Sequence, residues 1–446
     1  MIERVLGFIV TFFLCTNAAY AQAIVQSTAP TLAELLQNIY GPHGLVVDSE
    51  AVLPDGSTHS AHFNGAFQAE FERINLAFVR QIGGLPIPSP ASGFTYTFDT
   101  SSGTFRRTTQ SFGPILADRA ETIGRGRFAV GYSLQQFSFQ TFDGLRLSHI
   151  PGVFTHDDFQ LGGGRADFIT TQNAISASVS QQTVWMTYGA AARLDVSAAV
   201  PLVRTSLDII SDATIHRVGT ADNPAIHFFR DPDAPGGYGN ERRFIADESA
   251  SGVGDIVVRA KSTAIKTARG GLALGLEARL PTGDAQNLLG SGSLGMKPFM
   301  AASMIVRRVS PHVNLAYQWN TDTILAGDLA TGAKGSLPDE LSYAVGADVG
   351  VERRLSLAFD VLGRRSPDTP RLQNSAFVSQ ASPTSPSETY PDIAFINGTL
   401  NVVNGSIGMK LNIAGTLLVT ANVMFPLNDS GVRTRITPLI GFEFGF

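Results

Sequence analysis

The stretch Arg433–Phe446 reads RTRITPLIGFEFGF, and its side chains alternate in character. Ile436, Ile440, Phe442, Phe444 and Phe446 share one parity, whereas Arg433, Arg435 and Glu443 share the other. Successive side chains of a β-strand point to opposite faces. The pattern therefore predicts a strand with one apolar, aromatic face and one charged face.

This strand resembles the closing strand of Gram-negative outer-membrane barrels. The resemblance implies that Phe442, Phe444 and Phe446 form a C-terminal assembly signal, with the barrel-assembly machinery and outer-membrane lipid as partners. It also implies a location in the cell outer membrane.

The first 21 residues have the layout of a secretory signal peptide. A basic start (Met1–Arg4) precedes the apolar run Val5–Cys15, and Ala19-Tyr20-Ala21 fits a cleavage site. The apolar run is too short to span a bilayer. The chain contains one cysteine, Cys15, so the processed chain is expected to have neither disulfides nor a thiolate nucleophile.

The composition favours a membrane barrel. Charged residues make up 16% of the chain, against about 25% in ordinary globular domains. After residue 21, no stretch is apolar enough for a helical span, and only helices and closed barrels satisfy the whole backbone in lipid. The net charge of -5, without a basic cluster, argues against nucleic-acid binding.

Period-two segments predict an all-β fold, a transmembrane antiparallel barrel of about 14 strands, with 12 as the alternative. Thirteen candidate strands cover residues 125–140, 143–151, 167–188, 191–213, 252–268, 271–281, 295–308, 311–321, 339–349, 352–363, 399–413, 415–427 and 433–446. Single-chain bacterial barrels have even strand numbers, so Gly93–Thr100 is added as a first strand. Short connections are predicted near Gly189, Gly270, Pro311, Gly350 and Gly415. Long polar loops are predicted at 213–251, 282–294, 322–338 and 364–392, and short turns face the periplasm in such barrels.

Residues 22–92 do not follow the strand pattern and are predicted to be a partly helical segment. Thr31 and Glu34 suggest a capping box, and Phe63, Phe67, Phe71, Ile74 and Phe78 have helical spacing. The segment either plugs the lumen or packs on the periplasmic rim. Residues 93–446 are assigned to the barrel.

In a membrane barrel the charged parity of each strand faces inward. The candidate lumen-lining residues are Asp255, Arg259, Glu277, Arg279, Asp348, Arg354, Asp360, Lys410, Arg433, Arg435 and Glu443. So many buried charges must be paired or hydrated. They form either a rigid charge ladder or a selective path for a solute.

The sequence offers little that suggests catalysis, and no catalytic, metal or cofactor-binding residue is predicted. No serine lies in a Gly-x-Ser-x-Gly elbow, and His156-Asp157-Asp158 has no spaced partner motif. The protein is therefore expected not to be an enzyme.

Two internal motifs point to a family. They are Gly252-Val-Gly-Asp-Ile-Val-Val-Arg-Ala-Lys261, and Leu280-Pro-Thr-Gly-Asp284 followed by Asn287-Leu-Leu-Gly-Ser-Gly292. Together they resemble the outer-membrane family described as MetA-pathway of phenol degradation protein, which is related to barrel channels for fatty acids and aromatic hydrocarbons. The resemblance covers roughly residues 120–446 and implies a channel for passive uptake of small hydrophobic or aromatic solutes. The alternative is a structural or surface-interaction barrel that acts through its extracellular loops.

Overall fold

The computed structural model describes residues 31–41, 45–52, 56, 63, 66–89, 96–99, 104–107, 111–155, 167–218, 223–329, 331–381 and 386–446. The predicted signal peptide and the His156-Asp157-Asp158 group lie outside the described residues. The fold described below is that of the compact unit Leu32–Phe446.

Twelve antiparallel strands close into a barrel in which each strand pairs with its two neighbours in the chain and β12 pairs with β1. The strands are β1 (Phe128–Phe142), β2 (Phe168–Ala191), β3 (Leu194–His216), β4 (Val257–Thr267), β5 (Gly270–Arg279), β6 (Gly295–Met304), β7 (Val309–Asn320), β8 (Glu340–Glu352), β9 (Leu355–Val378), β10 (Thr389–Asn412), β11 (Leu417–Pro426) and β12 (Thr437–Gly445). Beside β12, the backbone N–H of Phe446 donates to the carbonyl of Phe128 at 2.8 Å. The barrel is thus the smaller of the two sizes predicted from the sequence.

Four further strands extend the wall at one end of the barrel. Leu145–Arg146 and Val432–Thr434 pair with β1, Ile150–Thr155 pairs with β2, and Glu241–Val253 pairs with β3. Among the described residues, three two-stranded sheets lie outside the barrel sheet. They pair Tyr96–Asp99 with Thr104–Arg107, Asp322–Asp328 with Ala333–Ser336, and Phe229–Arg230 with Tyr238–Gly239. Within the described residues, two helices, α1 (Leu32–Gln37) and α2 (Ala66–Gly83), and the 3-10 turn Pro235–Gly237 complete the elements.

Two of the predicted strands do not belong to the ring. In the predicted strand 93–100, the described residues Tyr96–Asp99 form a separate hairpin with Thr104–Arg107. In the predicted strand 143–151, the chain turns back after β1. Leu145–Arg146 then pairs with β1, and the strand that starts at Ile150 pairs with β2. Removing these two leaves the twelve ring strands, so the count of fourteen was wrong and the alternative of twelve was right.

The outer face of the barrel is apolar and the inner face is polar. In β12, Phe442 and Phe444 are each 43% exposed, whereas Glu443 between them is 4% exposed. The same alternation exposes Leu274 and Leu276 in β5 and buries Arg279. An apolar band around a closed barrel with a polar interior is the architecture of a membrane-spanning barrel. The protein is therefore an outer-membrane type of barrel, with its charged parity inward as the sequence predicts.

Connections are short at one end of the barrel, here the turn end, and long at the other, the loop end. The turn-end connections are residues 192–193, 268–269, 305–308, 353–354 and 413–416. At the loop end, β9 and β10 are 24 residues long and stay paired up to Val378 and Thr389, inside the predicted loop 364–392. A membrane strand needs about 9–11 residues, so this hairpin extends beyond the bilayer. Within the described residues, neither helix is both long and apolar enough to cross a membrane.

Candidate functional site in the barrel lumen

The segment that contains α1 and α2 lies within the barrel. The Tyr40 hydroxyl donates to Asn173 Oδ1 at 3.1 Å and lies 2.9 Å from Ser211 Oγ, and both partners are buried on the inner faces of β2 and β3. On the other side of the lumen, Arg73 donates to the carbonyl of Phe395 in β10 at 3.3 Å. Burial in this environment raises the pKa of Tyr40 to about 12.

Helix α2 is held by an apolar face. Ile74, Phe78 and Ile82 recur every four residues and are all buried, as the helical spacing predicts for Ile74 and Phe78. The ring of Phe78 packs edge-on to Phe139 of β1, with centroids 5.8 Å apart. Asn75, on the same helix, donates to the carbonyl of Ala33 at 2.6 Å and ties α2 to α1.

A second inner segment, residues 111–124, crosses the lumen near the turn end and is called the strap below. It has neither helix nor strand, so its backbone groups need other partners. Inward side chains of the wall supply them. They accept from the amides of Phe112 (Ser356 Oγ, 2.9 Å), Asp118 (Asn314 Oδ1, 2.6 Å), Ala120 (Ser303 Oγ, 3.0 Å) and Ile123 (Asp195 Oδ2, 3.0 Å).

Wall side chains also donate to carbonyls of the strap. Lys410 Nζ donates to Phe112 O at 3.3 Å, Lys261 Nζ to Glu121 O at 2.9 Å, and Thr263 Oγ1 to Ala120 O at 2.6 Å. These donors come from β10 and β4, so the strap is fixed to several parts of the wall. No pattern in the sequence predicts this segment.

Asp118 of the strap joins a chain of charges on the wall. Arg259 donates to both of its carboxylate oxygens, and Arg259 Nε lies 3.9 Å from Glu277. Lys297 Nζ in turn lies 2.5 Å from Glu277. Burial raises the pKa of Asp118, but the nearby cations Arg259 and Lys261 outweigh burial and hold it at about 2. The Asp118 carboxylate is therefore charged at neutral pH.

The two motifs that suggest a family meet at Asp255. The loop after β5 folds into the barrel, and the Asp255 carboxylate accepts from the amides of Gly283 (3.1 Å) and Ser291 (2.8 Å) and from the Ser291 hydroxyl (2.6 Å). A Cβ at Gly290 would come within 2.3 Å of Asp255 Oδ1, so a glycine is required there. Asp255 thus holds the loop inside the lumen, where Leu288 and Leu289 are buried.

These parts enclose a cavity of about 250 Å³ between residues 82–89 and the wall. Part of the lining is apolar and is formed by Leu85, Ile87, Val203, Leu289 and Phe299. The charged part of the lining has, among the described residues, four carboxylates and four cations: Asp118, Asp255, Glu277, Glu340, Arg259, Arg279, Lys297 and Arg364. The fixed charges of the described lining residues therefore balance. Arg259 also lies 4.0 Å above the ring of Phe299, so charged and apolar groups of the lining are in contact.

Nine of the eleven predicted lumen residues have inward, largely buried side chains. They are Asp255, Arg259, Glu277, Arg279, Asp348, Asp360, Lys410, Arg433 and Glu443. Four of them, Asp255, Arg259, Glu277 and Arg279, line the cavity. Of the other two, Arg354 is exposed in the short turn after β8 and Arg435 is exposed just before β12, so neither side chain is buried in the lumen.

Asp348 and Asp360 belong to a separate buried cluster around His312. His312 Nε2 lies 2.6 Å from Asp360 Oδ1, and its Nδ1 lies 3.5 Å from Asp348 Oδ1. His312 was not among the predicted lumen residues, although it shares the inward parity of Asn314 and Gln318 on β7. Among the residues that the structure describes, no group of three or more His, Cys, Asp or Glu side chains is arranged to hold a metal ion.

The fold is similar to several solved barrels at low sequence identity. An outer membrane channel from Pseudomonas putida F1 is 12% identical with a TM-score of 0.42, over 72% of this chain and 96% of that one. A toluene transporter from Ralstonia pickettii is 11% identical with a TM-score of 0.27, over 72% and 90%. A FadL homologue from Pseudomonas aeruginosa is 11% identical with a TM-score of 0.29, over 73% and 91%. No curated protein matches the sequence at significant similarity.

A family match covers the part of the chain in which the two motifs lie. The motifs occupy residues 252–261 and 280–292, and Asp255 links them in space. The resemblance that these motifs suggest is confirmed, because residues 180–357 match the model of the family described as "Putative MetA-pathway of phenol degradation".

Proposed function

We propose that this protein is an outer-membrane channel for passive uptake of small, uncharged, partly apolar solutes, with aromatic compounds as the main class. The observation that carries the proposal is the lumenal cavity, whose described lining combines apolar side chains with charged side chains of balanced sign. Ligand sites of this kind are mostly apolar with a few convergent polar groups. The names of similar solved structures, a toluene transporter among them, and the matching family agree with this class of solute.

The size and charge of the cavity favour a single-ring solute. An engineered apolar cavity of roughly 150 Å³ binds benzene, and the cavity here is about 250 Å³. An anion or a cation would meet carboxylates and cations in equal number, so it gains little over water. A neutral ring with one polar group could pack against Phe299 and Leu289 and form a hydrogen bond with one of the charged side chains of the lining.

In this proposal, residues 82–89, which include the end of α2, form a movable plug, and the strap is a fixed support. Residues 82–89 line one side of the cavity, whereas the strap backbone is bonded to the wall along its length. A solute that enters from the loop end would displace residues 82–89 to pass through the cavity.

A substitution that fills the cavity tests the proposal. Ala316 faces the cavity from β7 and lies opposite Phe299 in the sheet. We expect Ala316→Phe to lower uptake of a labelled single-ring solute by Gram-negative cells several-fold. Val313→Phe is the matched control, because Val313 is 50% exposed on the lipid-facing side of the same strand.

Uptake that Ala316→Phe leaves unchanged would contradict a path through the cavity. Absence of uptake for every aromatic and aliphatic solute, in cells with the protein compared with cells without it, would contradict the channel itself.

The alternative, a surface-interaction barrel, is supported by the hairpin of β9 and β10 beyond the membrane. Val378 and Ile396 on this hairpin are 60% and 49% exposed. Removing residues 371–396 joins the paired residues Pro370 and Asn397 and shortens the hairpin without opening the ring. Uptake that persists after this deletion would reject the alternative as the main function.

A further inference from the structure

The turn end of the barrel carries a ring of basic side chains, called the basic collar below. Its members are exposed residues in or beside the short connections: Arg125, Arg193, Lys266, Arg269, Arg307, Arg308, Arg353 and Arg354. The channel proposal does not use any of them, because they lie outside the lumen. Their concentration at one end contrasts with the net charge of -5 of the whole chain.

The basic collar is not neutralised locally. Among the described residues of the short connections and the adjoining strand ends, Glu352 is the one exposed acid. None of the eight basic side chains forms an ion pair with a described residue. Arg308 donates to the carbonyl of Val351 at 3.4 Å, which places it across the turn from β8. The collar therefore presents a surface of positive charge.

The collar lies at the edge of the apolar band. Lys266 follows Ile265, which is 55% exposed on the outer face, and Arg307 follows Val306, which is 49% exposed. Val351, 36% exposed, lies two residues before Arg353. An apolar side chain beside a basic one marks the level at which a bilayer changes from hydrocarbon to head groups.

The collar also follows the perimeter of the barrel. Four of the five short connections, those of the β2–β3, β4–β5, β6–β7 and β8–β9 pairs, contain an arginine. A protein partner would need its charges on one patch, whereas the lipid around a barrel contacts all sides. The perimeter arrangement therefore fits lipid better than it fits a protein.

We propose that the basic collar binds the phosphate groups of anionic phospholipids in the leaflet at the turn end. Arginine is suited to this because its planar guanidinium can donate two parallel hydrogen bonds to one phosphate. The proposal rests on the placement of the barrel in a membrane, and it does not depend on which solute the lumen conducts. The collar would fix the depth of the barrel in the bilayer.

The test compares lipid selectivity in two fourfold variants of the full chain. One variant removes collar charges: Arg307→Gln, Arg308→Gln, Arg353→Gln and Arg354→Gln. The control removes four exposed basic charges at the loop end: Arg146→Gln, Arg242→Gln, Lys334→Gln and Arg435→Gln. Each purified protein is reconstituted in phosphatidylcholine, and electron spin resonance measures its association with spin-labelled phosphatidylglycerol relative to spin-labelled phosphatidylcholine.

We expect the wild type and the loop-end variant to prefer phosphatidylglycerol by about five-fold or more at low salt, because each basic group near an anionic surface contributes appreciably. The preference should fall as salt is raised, and the collar variant should lose most of it. Equal association of both lipids with the wild type would overturn the proposal, as would a collar variant that keeps the preference. The wild-type salt series tests the proposal even if the collar variant does not fold.

The same proteoliposomes separate this proposal from the proposed channel. Lipid selectivity without any solute flux would leave the collar proposal standing and would count against the channel. Flux without lipid selectivity would do the reverse.

Discussion

At the residue scale, Asp118 connects the strap to the charged wall. Its carboxylate accepts from Arg259, and Lys261 of the same strand donates to neighbouring carbonyls of the strap. Lys261 is 4% exposed and the Arg259 side chain is 8% exposed. Removing a partner from such a group costs about 3–5 kcal/mol, since it leaves a buried charge uncompensated. Asp118 therefore stabilises the strap, because its negative charge neutralises the buried cations Arg259 and Lys261 of the wall.

The pH dependence of the strap follows from the pKa of Asp118, which is lowered from its ordinary value of 3.8 to about 2. A carboxyl whose pKa is lowered by folding contributes stability that is present above about pH 4 and lost as the pH falls towards 2. Single-channel conductance of the wild type in planar bilayers should therefore rise between pH 4 and 2. Asp118→Asn should show the raised conductance already at pH 7, without that rise.

The exposed acid Asp322 at the loop end supplies the control, because Asp322→Asn should behave as the wild type does. If Asp118→Asn retained the wild-type rise at acid pH, another carboxyl would have to control the strap.

At the element scale, the loop after β5 is held inside the barrel by its contact with Asp255. Gly283 and Gly290 approach each other so closely that a Cβ on either would collide with the other's backbone. The elements β4 and β5 therefore serve as more than wall strands. They position a folded loop that contributes Leu289 and Gly290 to the cavity.

Gly290→Ala should release this loop. The added Cβ would lie 2.3 Å from Asp255 Oδ1, so the carboxylate and the Ser291 amide must separate. We expect residues 283–293 to become cleavable by protease added to intact cells, and the unfolding midpoint to fall by several degrees, as for a loss of about 1–3 kcal/mol. Gly398→Ala, where the Cβ would meet Arg371 at an ordinary 3.4 Å, is the control. Loss of stability in both variants to the same extent would refute the assigned role of Gly290.

The strands show how much of the fold can be predicted from the sequence alone. Alternation with period two identified all twelve ring strands, because each has one face in lipid and one in a polar lumen. It did not identify Glu241–Val253, which lies mostly in the predicted loop 213–251 and extends the wall beside β3. It cannot tell whether a strand joins the ring, so 143–151 and 93–100 were counted in error. Parity also fails to predict the direction of a side chain where the register changes, and this explains why Arg354 and Arg435 are exposed. The β8–β9 register shifts between Gly350 and Glu352 just before the turn that holds Arg354, and Arg435 lies between two strand segments.

The strap was not predictable because its residues share no period. Its conformation is set by partners such as Asn314 and Ser303, which are distant in the sequence. The cavity depends on the strap and on the folded loop. Four of its eight charged residues, Asp255, Arg259, Glu277 and Arg279, were nonetheless on the predicted list, because inward parity alone identifies them.

At the scale of the whole molecule, a twelve-strand ring encloses two inner segments that are held in different ways. The segment with α1 and α2 packs through apolar side chains such as Ile74 and Phe78, and its Tyr40 and Arg73 also donate hydrogen bonds to the wall. The strap is bonded through its backbone to β3, β4, β6, β7, β9 and β10. Apolar contacts are non-directional, and they can be exchanged for contacts with an apolar solute. In the proposed channel, the apolar contacts of the helical segment are therefore the ones that a solute would replace.

This division of roles is open to a direct test, because the one cysteine of the chain lies in the predicted signal peptide. The hydroxyls of Ser111 in the strap and Ser310 in β7 are 3.3 Å apart, so Ser111→Cys with Ser310→Cys places two thiols within reach of a disulfide. If the strap is a fixed support, solute uptake should be the same, within about two-fold, in the oxidised and reduced double variant. A disulfide that abolishes uptake, with recovery on reduction, would instead show that the strap moves during transport. The single variant Ser111→Cys under the same oxidant controls for effects of oxidation that do not involve the bond.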